Sequence, residues 1–224
     1  MRKPRFIWIY PVLILVVLTA HTTERALRVG ILLAGIGEAL RLWANGYVGH
    51  VKANWTPPGA PKIGRLITAG PYAYVRHPLY VGSFLIGVGI CVIVGNPWVW
   101  LAALLPFAWT YRRKVIQEEQ QIAQGWPEYE TYRRAVPRWL PTWQHYPGGA
   151  GTWSWRGVRA SKEWKTAIWV AVSVIALYLR EEWWQERGGS SPATPRQFLW
   201  LALLVALIIT DLVVEWTKQS RQPA

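Results

Sequence analysis

PLYVGSFLIGVGICVIVGNPWVWLAALLPFAWTY, residues 78–111, runs for 34 residues without a charged side chain. As one helix it would be about 51 Å long, against a bilayer hydrocarbon core of roughly 30 Å. It must therefore fold back. Gly95-Asn96-Pro97 at its middle supplies a turn and a fresh helix start. The stretch predicts a helical hairpin with spans at about 78 to 94 and 97 to 112.

The composition of the whole 224-residue chain agrees. Hydrophobic residues make up 52% and charged ones 17%, and 17 tryptophans exceed what a soluble core of this size needs. A disordered polyelectrolyte is excluded. The single cysteine, Cys91, has no internal disulfide partner, and no CxxC or Cys/His cluster is present for a cysteine zinc site. The class that remains is an all-α, polytopic integral membrane protein.

Further apolar runs lie on both sides of the hairpin. Phe6 to Ala20 is only about 22 Å as a helix and needs Arg5 and Arg25 to snorkel at its ends. Leu27 to Ala44 carries Glu38 and Arg41, which should face other helices or a wet cavity rather than lipid. Thr166 to Leu179 and Gln197 to Thr210 complete about six transmembrane helices. An even number puts both termini on one side. That side collects 19 Lys and Arg against five on the other, so both termini are expected in the cytoplasm. The net charge of +13 is thus topogenic and lipid-facing, with no call for nucleic acid as a partner. The basic start reads as a retained anchor, because His21-Thr22-Thr23-Glu24 replaces a small-residue cleavage site. Trp43, Trp98, Trp164, Trp183, Trp184 and Trp216 fall near span ends, where indole favours the headgroup level.

The least membrane-like stretches, Tyr47 to His77 and Arg112 to Lys165, are both assigned to the cytoplasm, and chemistry is expected there. Pro147-Gly148-Gly149-Ala150-Gly151 reads as a hinge. It divides a core of residues 1–147, with four spans, from a two-span extension, 148–224, that is not a separate soluble domain.

The first cytoplasmic segment ends with Gly70-Pro71-Tyr72-Ala73-Tyr74-Val75-Arg76-His77-Pro78-Leu79-Tyr80. Pro78 suits a first helical turn, which places His77 at the N-cap and Tyr80 one turn on, beside the positive end of the helix dipole. Singly, these residues have plain structural readings as interface aromatics, a topogenic arginine and a cap. In the second segment Lys114 and Glu118 are i,i+4 neighbours, the spacing of an ordinary surface ion pair.

The ordered set is more specific than its parts. Gly37-Glu38-Ala39-Leu40-Arg41, Gly70-Pro71-Tyr72, Arg76-His77-Pro78-Leu79-Tyr80, Asn96-Pro97, Glu118-Glu119 with Ile122, Tyr129, and Val136-Pro137-Arg138 resemble the isoprenylcysteine carboxyl methyltransferases and the related phospholipid methyltransferases. The likeness runs from about residue 36 to 141. It implies a membrane enzyme that uses S-adenosyl-L-methionine in a cytoplasm-facing pocket, with a lipophilic substrate arriving from the bilayer among membrane lipids. Tyr72, His77, Pro78, Leu79, Tyr80 and Glu118 match cofactor-binding positions, and Gly64, Arg65, Leu66 and Ile67 match a backbone-contacting stretch. Glu119 is the second acid of the pair. Lys114, with Arg113 beside it, stands where the isoprenylcysteine enzymes have a substrate-contacting arginine. Lysine keeps the charge but lacks the planar fork that grips a carboxylate twice.

Methyl transfer from a sulfonium is an in-line displacement, so the protein mainly aligns two reactants and excludes water. A carboxylate acceptor is already ionised and needs only a cation such as Lys114 or Arg113. An amine acceptor needs a base, for which Glu119 or His77 would serve. The favoured expectation is carboxyl O-methylation of an isoprenylcysteine-like substrate, with lipid-amine N-methylation second. Gly35-Ile36-Gly37 lies in an apolar helix and is no Rossmann fingerprint. A transporter using Glu38 and Arg41, or a scaffold, is the alternative of another class.

Overall fold

The computed structural model describes residues 19–48, 66–161, 163–186 and, apart from 201, 204 and 208, 198–210. The regular elements are helical, with no strand among the described residues. They are α1 (Glu24–Val48), a 3-10 turn (Gly70–Ala73), α2 (Pro78–Val94), α3 (Pro97–Gly125), α4 (Tyr129–Ala135), α5 (Trp155–Ser161) and α6 (Glu163–Glu186). Helical residues recur between 198 and 210. The run from Phe6 falls, up to residue 18, outside the described residues.

The central hairpin is bounded by the signals its sequence carries. Pro78 opens α2, and the His77 carbonyl accepts from Tyr80 N and Val81 N at 3.1 Å each. Gly95 stops α2 with φ +67, a conformation that costs a glycine little, and its N–H returns to Cys91 O at 3.0 Å. Asn96 then caps α3, its side-chain oxygen accepting from Trp98 N at 2.9 Å ahead of Pro97. α3 continues past Arg112 to Gly125, so the apolar hairpin arm and the charged stretch beyond it are one 29-residue helix.

Among the described residues no helix is long and apolar enough to cross a membrane. α2 has 17 residues, about 26 Å of helix. α3 is longer but turns charged at Arg112, and α1 carries Arg25, Arg28, Glu38 and Arg41 within its 25 residues. The expected six spans are therefore not met by any described helix taken on length and apolarity.

Contacts sort the chain into two compact units. One takes Met1–Ala34, Val88–Ala103 and Trp164–Ala224. Its core is Ala20, Ile93, Val94, Val99 and Leu177, with Leu27, Ile90 and Val174 packed against it. His21 N bonds Val94 O at 2.9 Å and Thr22 Oγ1 bonds Ile93 O at 3.0 Å, fixing the entry to α1 beside the end of α2.

The other unit takes Gly35–Gly87 and Leu104–Glu163 and contains every element of the candidate site. In it α1 and α2 meet at glycines: a Cβ on Gly37 would lie 2.6 Å from the Gly82 carbonyl oxygen, so backbone approaches backbone there. Tyr129, Tyr132 and Val136 form a second core with Leu66, Ile122, Trp126 and Tyr146 around it. The extended chain after α4 is stitched to the segment before α2 by Arg76 N to Pro137 O at 2.9 Å, Thr142 N to Tyr74 O at 2.9 Å and Tyr146 N to Ala73 O at 3.1 Å. The glycine-rich 147–151 segment is pinned too, with Thr68 N to Ala150 O at 3.0 Å and Ala150 N to Thr68 Oγ1 at 2.9 Å.

Candidate functional site

Two consecutive acids near the end of α3 part company. Consecutive helical residues point about 100° apart, and Glu118 and Glu119 accordingly meet different partners across the start of α2. The Tyr80 hydroxyl donates to Glu118 Oε2 at 2.9 Å. Glu119 Oε1 lies 2.9 Å from His77 Nε2 and 2.8 Å from an Arg76 guanidinium nitrogen. Arg138, delivered by the stitched segment, closes on the same carboxylate with two bonds, Nε to Oε1 at 3.0 Å and Nη2 to Oε2 at 2.6 Å.

Glu119 is therefore buried with both oxygens engaged. Burial alone would raise its carboxyl, but hydrogen bonds from His77 and Arg138 and the Arg76 charge outweigh it and hold the group at about 2. An ionised carboxylate only accepts, so His77 Nε2 carries the proton in this contact. A carboxylate so placed is a poor proton acceptor at neutral pH. Its work is to lock His77, Arg76 and Arg138 into one arrangement. The Glu119 hydrogen bond in return pushes the Arg138 guanidinium above its ordinary value.

Glu118 is the more open acid, half-buried, with a phenol on it. Tyr80 packs edge-on against Tyr111 with centroids 4.9 Å apart, Tyr111 stacks on Phe107 at 4.0 Å, and Phe107 meets Phe84 at 6.2 Å. The Tyr72 hydroxyl is buried near the same acid. Burial first, then the charge on Glu118 and the phenols Tyr132 and Tyr80, push that hydroxyl well above its ordinary value, with Arg41 opposing. The 3-10 turn that presents Tyr72 is fixed by Tyr132 Oη donating to Tyr72 O at 2.7 Å. A carboxylate that holds one phenol, with a second phenol nearby and an aromatic wall beside it, suits a cation of low hydration, a sulfonium included.

The structure thus brings Tyr72, His77, Pro78, Leu79, Tyr80, Glu118 and Glu119 to one place. Leu66 belongs to the Tyr129 core and Ile67 packs near Gly151. Gly64 and Arg65 lie outside the described residues. Arg113 and Lys114 are exposed on α3. The Arg113 guanidinium sits 5.5 Å from the Trp109 ring and the Lys114 ammonium 6.0 Å from the Tyr111 ring. No Lys114–Glu118 ion pair forms among the described residues, because Glu118 faces Tyr80 instead. Among the described residues, no group of three or more His, Cys, Asp or Glu is placed to hold a metal ion.

Sequence reasoning passed over two participants. Arg138 was visible only as part of the Val136-Pro137-Arg138 motif, with nothing local to say that it returns to Glu119. Glu163, at the head of α6, pairs with Arg41 from 122 residues away.

The sequence model of the family described as phospholipid methyltransferase matches residues 26–128. A cobalt-zinc-cadmium resistance protein, CzcN, of Cupriavidus metallidurans is 29% identical over 147 residues, covering 65% of this chain and 62% of that one. The protein-S-isoprenylcysteine O-methyltransferase of Schizosaccharomyces pombe is 32% identical over 107 residues, 47% of this chain and 45% of that one. The Homo sapiens protein of the same name is 32% identical over 117 residues, 50% and 40%. The chain spans less than two thirds of the length of these relatives. No solved structure matches it.

Proposed function

We propose that this chain, which over residues 26–128 belongs to the phospholipid methyltransferase family, transfers a methyl group from S-adenosyl-L-methionine to a lipophilic acceptor held in a membrane. The observation that carries this reading is the Tyr80 hydroxyl on Glu118 at 2.9 Å, with the Tyr72 hydroxyl buried near enough for the Glu118 charge to act on it. When bound, S-adenosyl-L-methionine supplies an electrophilic methyl group on a sulfonium. Glu118, Tyr72 and Tyr80 would face that cation, and His77, held by Glu119, would line the same side together with Pro78 and Leu79.

The acceptor that fits best is a carboxylate, as in an isoprenylcysteine. It arrives ionised and needs orientation, which Lys114, with Arg113 beside it, supplies from the outer face of α3 next to the Tyr111 ring. Glu119, spent on two arginines and a histidine, is not free to take the proton that an amine acceptor must lose. Membrane residence is supported by the apolar surface that the helices turn outward: Leu32, Ile36, Phe84, Trp98, Leu101, Leu105 and Trp109 are exposed. The reading keeps both termini and the site on the cytoplasmic side, following the bias of positive charge.

The test is methyl transfer by purified protein to a prenylcysteine analogue and to phosphatidylethanolamine, each product then treated with base. Label released by base is a methyl ester and supports the carboxylate reading. Stable label on the phospholipid replaces it with N-methylation. S-adenosyl-L-methionine affinity unchanged in both His77→Ala and Glu118→Ala removes the site assignment.

A further inference from the structure

Arg41 stands in the middle of α1, in the apolar run, with its side chain only 17% exposed. Its Nε donates to Glu163 Oε1, and its Nη1 donates to Ser83 Oγ and, at 3.4 Å, to the Leu79 carbonyl. Ser83 Oγ itself donates to Leu79 O at 2.9 Å. The stem of the arginine lies flat on α2 because Gly82 has no side chain: a Cβ there would sit 2.5 Å from Arg41 Cγ. The guanidinium therefore reaches the peptide that precedes Tyr80, and its charge is felt at the Tyr72 hydroxyl.

Glu163 is almost wholly buried, 4% exposed at its side chain, and its second oxygen takes Asn45 Nδ2 at 2.7 Å. Among the described residues it is the acid in direct contact with Arg41. Glu38 stands three residues before Arg41 on the same helix, yet among the described residues its two buried oxygens have no hydrogen-bond partner. Ser83 and the Leu79 carbonyl accept hydrogen bonds but carry no charge to cancel. A buried guanidinium left uncancelled would oppose any cation held at Tyr72, Tyr80 and Glu118. Glu163 comes from beyond residue 128, where the family match ends.

We infer that Glu163 is a positioning residue of the donor site, cancelling and orienting Arg41 so that the site accepts a sulfonium. The inference rests on the donor assignment above. It gives the C-terminal segment a part in the chemistry of the preceding core.

The demethylated product, S-adenosylhomocysteine, separates electrostatics from mere structure, because it keeps every group of the donor but the transferred methyl and has no charge at sulfur. Dissociation constants for donor and product are measured by calorimetry on the full-length protein in detergent. Glu163→Gln is expected to weaken the donor about tenfold and the product less than about twofold. Arg41→Gln alone, leaving Glu163 uncancelled, moves the donor-to-product ratio the opposite way. The double variant Arg41→Gln/Glu163→Gln returns the ratio to that of the unmodified protein. Glu163→Asp keeps it.

Equal weakening of both ligands in Glu163→Gln, or no change in either, overturns the inference while leaving the methyltransferase reading intact. If Glu163→Gln does not fold, the Arg41→Gln ratio decides by its direction, and an unchanged ratio overturns the inference. Failure of the unmodified protein to bind donor or product overturns the donor assignment and this inference together.

Discussion

His77 Nε2 lies 2.9 Å from Glu119 Oε1, and that contact ties the first turn of α2 to the charged end of α3. The folded carboxyl sits at about 2, below its ordinary 4.5, so the folded state binds fewer protons than the unfolded chain between those values. The stabilisation is present above the unfolded value and is lost as pH falls through the folded one. It amounts to about 3 kcal/mol at neutral pH. Melting of the purified protein followed from pH 6 to pH 2.5 should show the gap between unmodified protein and Glu119→Gln narrowing as pH drops. A constant gap would mean that Glu119 is not the titrating clamp.

Glu118 and Glu119 should separate in function although they are neighbours in sequence. Glu119→Gln strips the charge from a buried site held by two arginines and a histidine and should cost about 3–5 kcal/mol of stability. Glu118→Gln leaves that hub untouched and should melt near the unmodified protein, while S-adenosyl-L-methionine affinity falls about 10- to 100-fold. Paired melting and binding curves check both. A Glu118 variant that loses stability but retains affinity reverses the two roles.

Lys114 carries the acceptor side of the reading. Lys114→Ala should raise KM for a prenylcysteine carboxylate about tenfold, and Lys114→Arg should lower it several-fold by restoring a two-bond grip. Neither should move KM for the methyl donor. An unchanged acceptor KM in Lys114→Ala places the carboxylate elsewhere.

The central hairpin was legible because its signals are local. Pro78, Gly95, Asn96 and Pro97 each act within one turn of their own position, and α2 begins and ends, and α3 begins, accordingly. The far end of α3 was not read from apolarity, because the helix outlasts the apolar run, yet Gly125-Trp126-Pro127 marks its stop. Which guanidinium meets which carboxylate was out of reach. Arg138 and Glu119 are 19 residues apart and Arg41 and Glu163 are 122 apart, and no periodicity connects such pairs. The i,i+4 rule suggested Lys114–Glu118, whereas the tyrosine one turn into α2 took the acid. The motif likeness did gather the residues around α2 and α3, because it encodes distant proximity that local physics does not.

Gly35 and Gly37 stand two residues apart on α1 and should answer oppositely to alanine. A Cβ on Gly35 meets nothing within 4 Å, so Gly35→Ala only adds helix propensity and should be neutral or stabilise by up to about 1 kcal/mol. A Cβ on Gly37 lies 2.6 Å from the Gly82 carbonyl oxygen and 3.0 Å from Ile86 N, both backbone atoms that have no rotamer by which to withdraw. The two helices must then part, and Gly37→Ala should cost about 1–3 kcal/mol. The separation also shifts Gly82, on which the Arg41 stem lies, so donor affinity should fall along with stability in this variant. Melting temperatures of the two variants in one detergent give the test. Similar melting for both would mean that α1 and α2 do not approach at Gly37 and Gly82 as described.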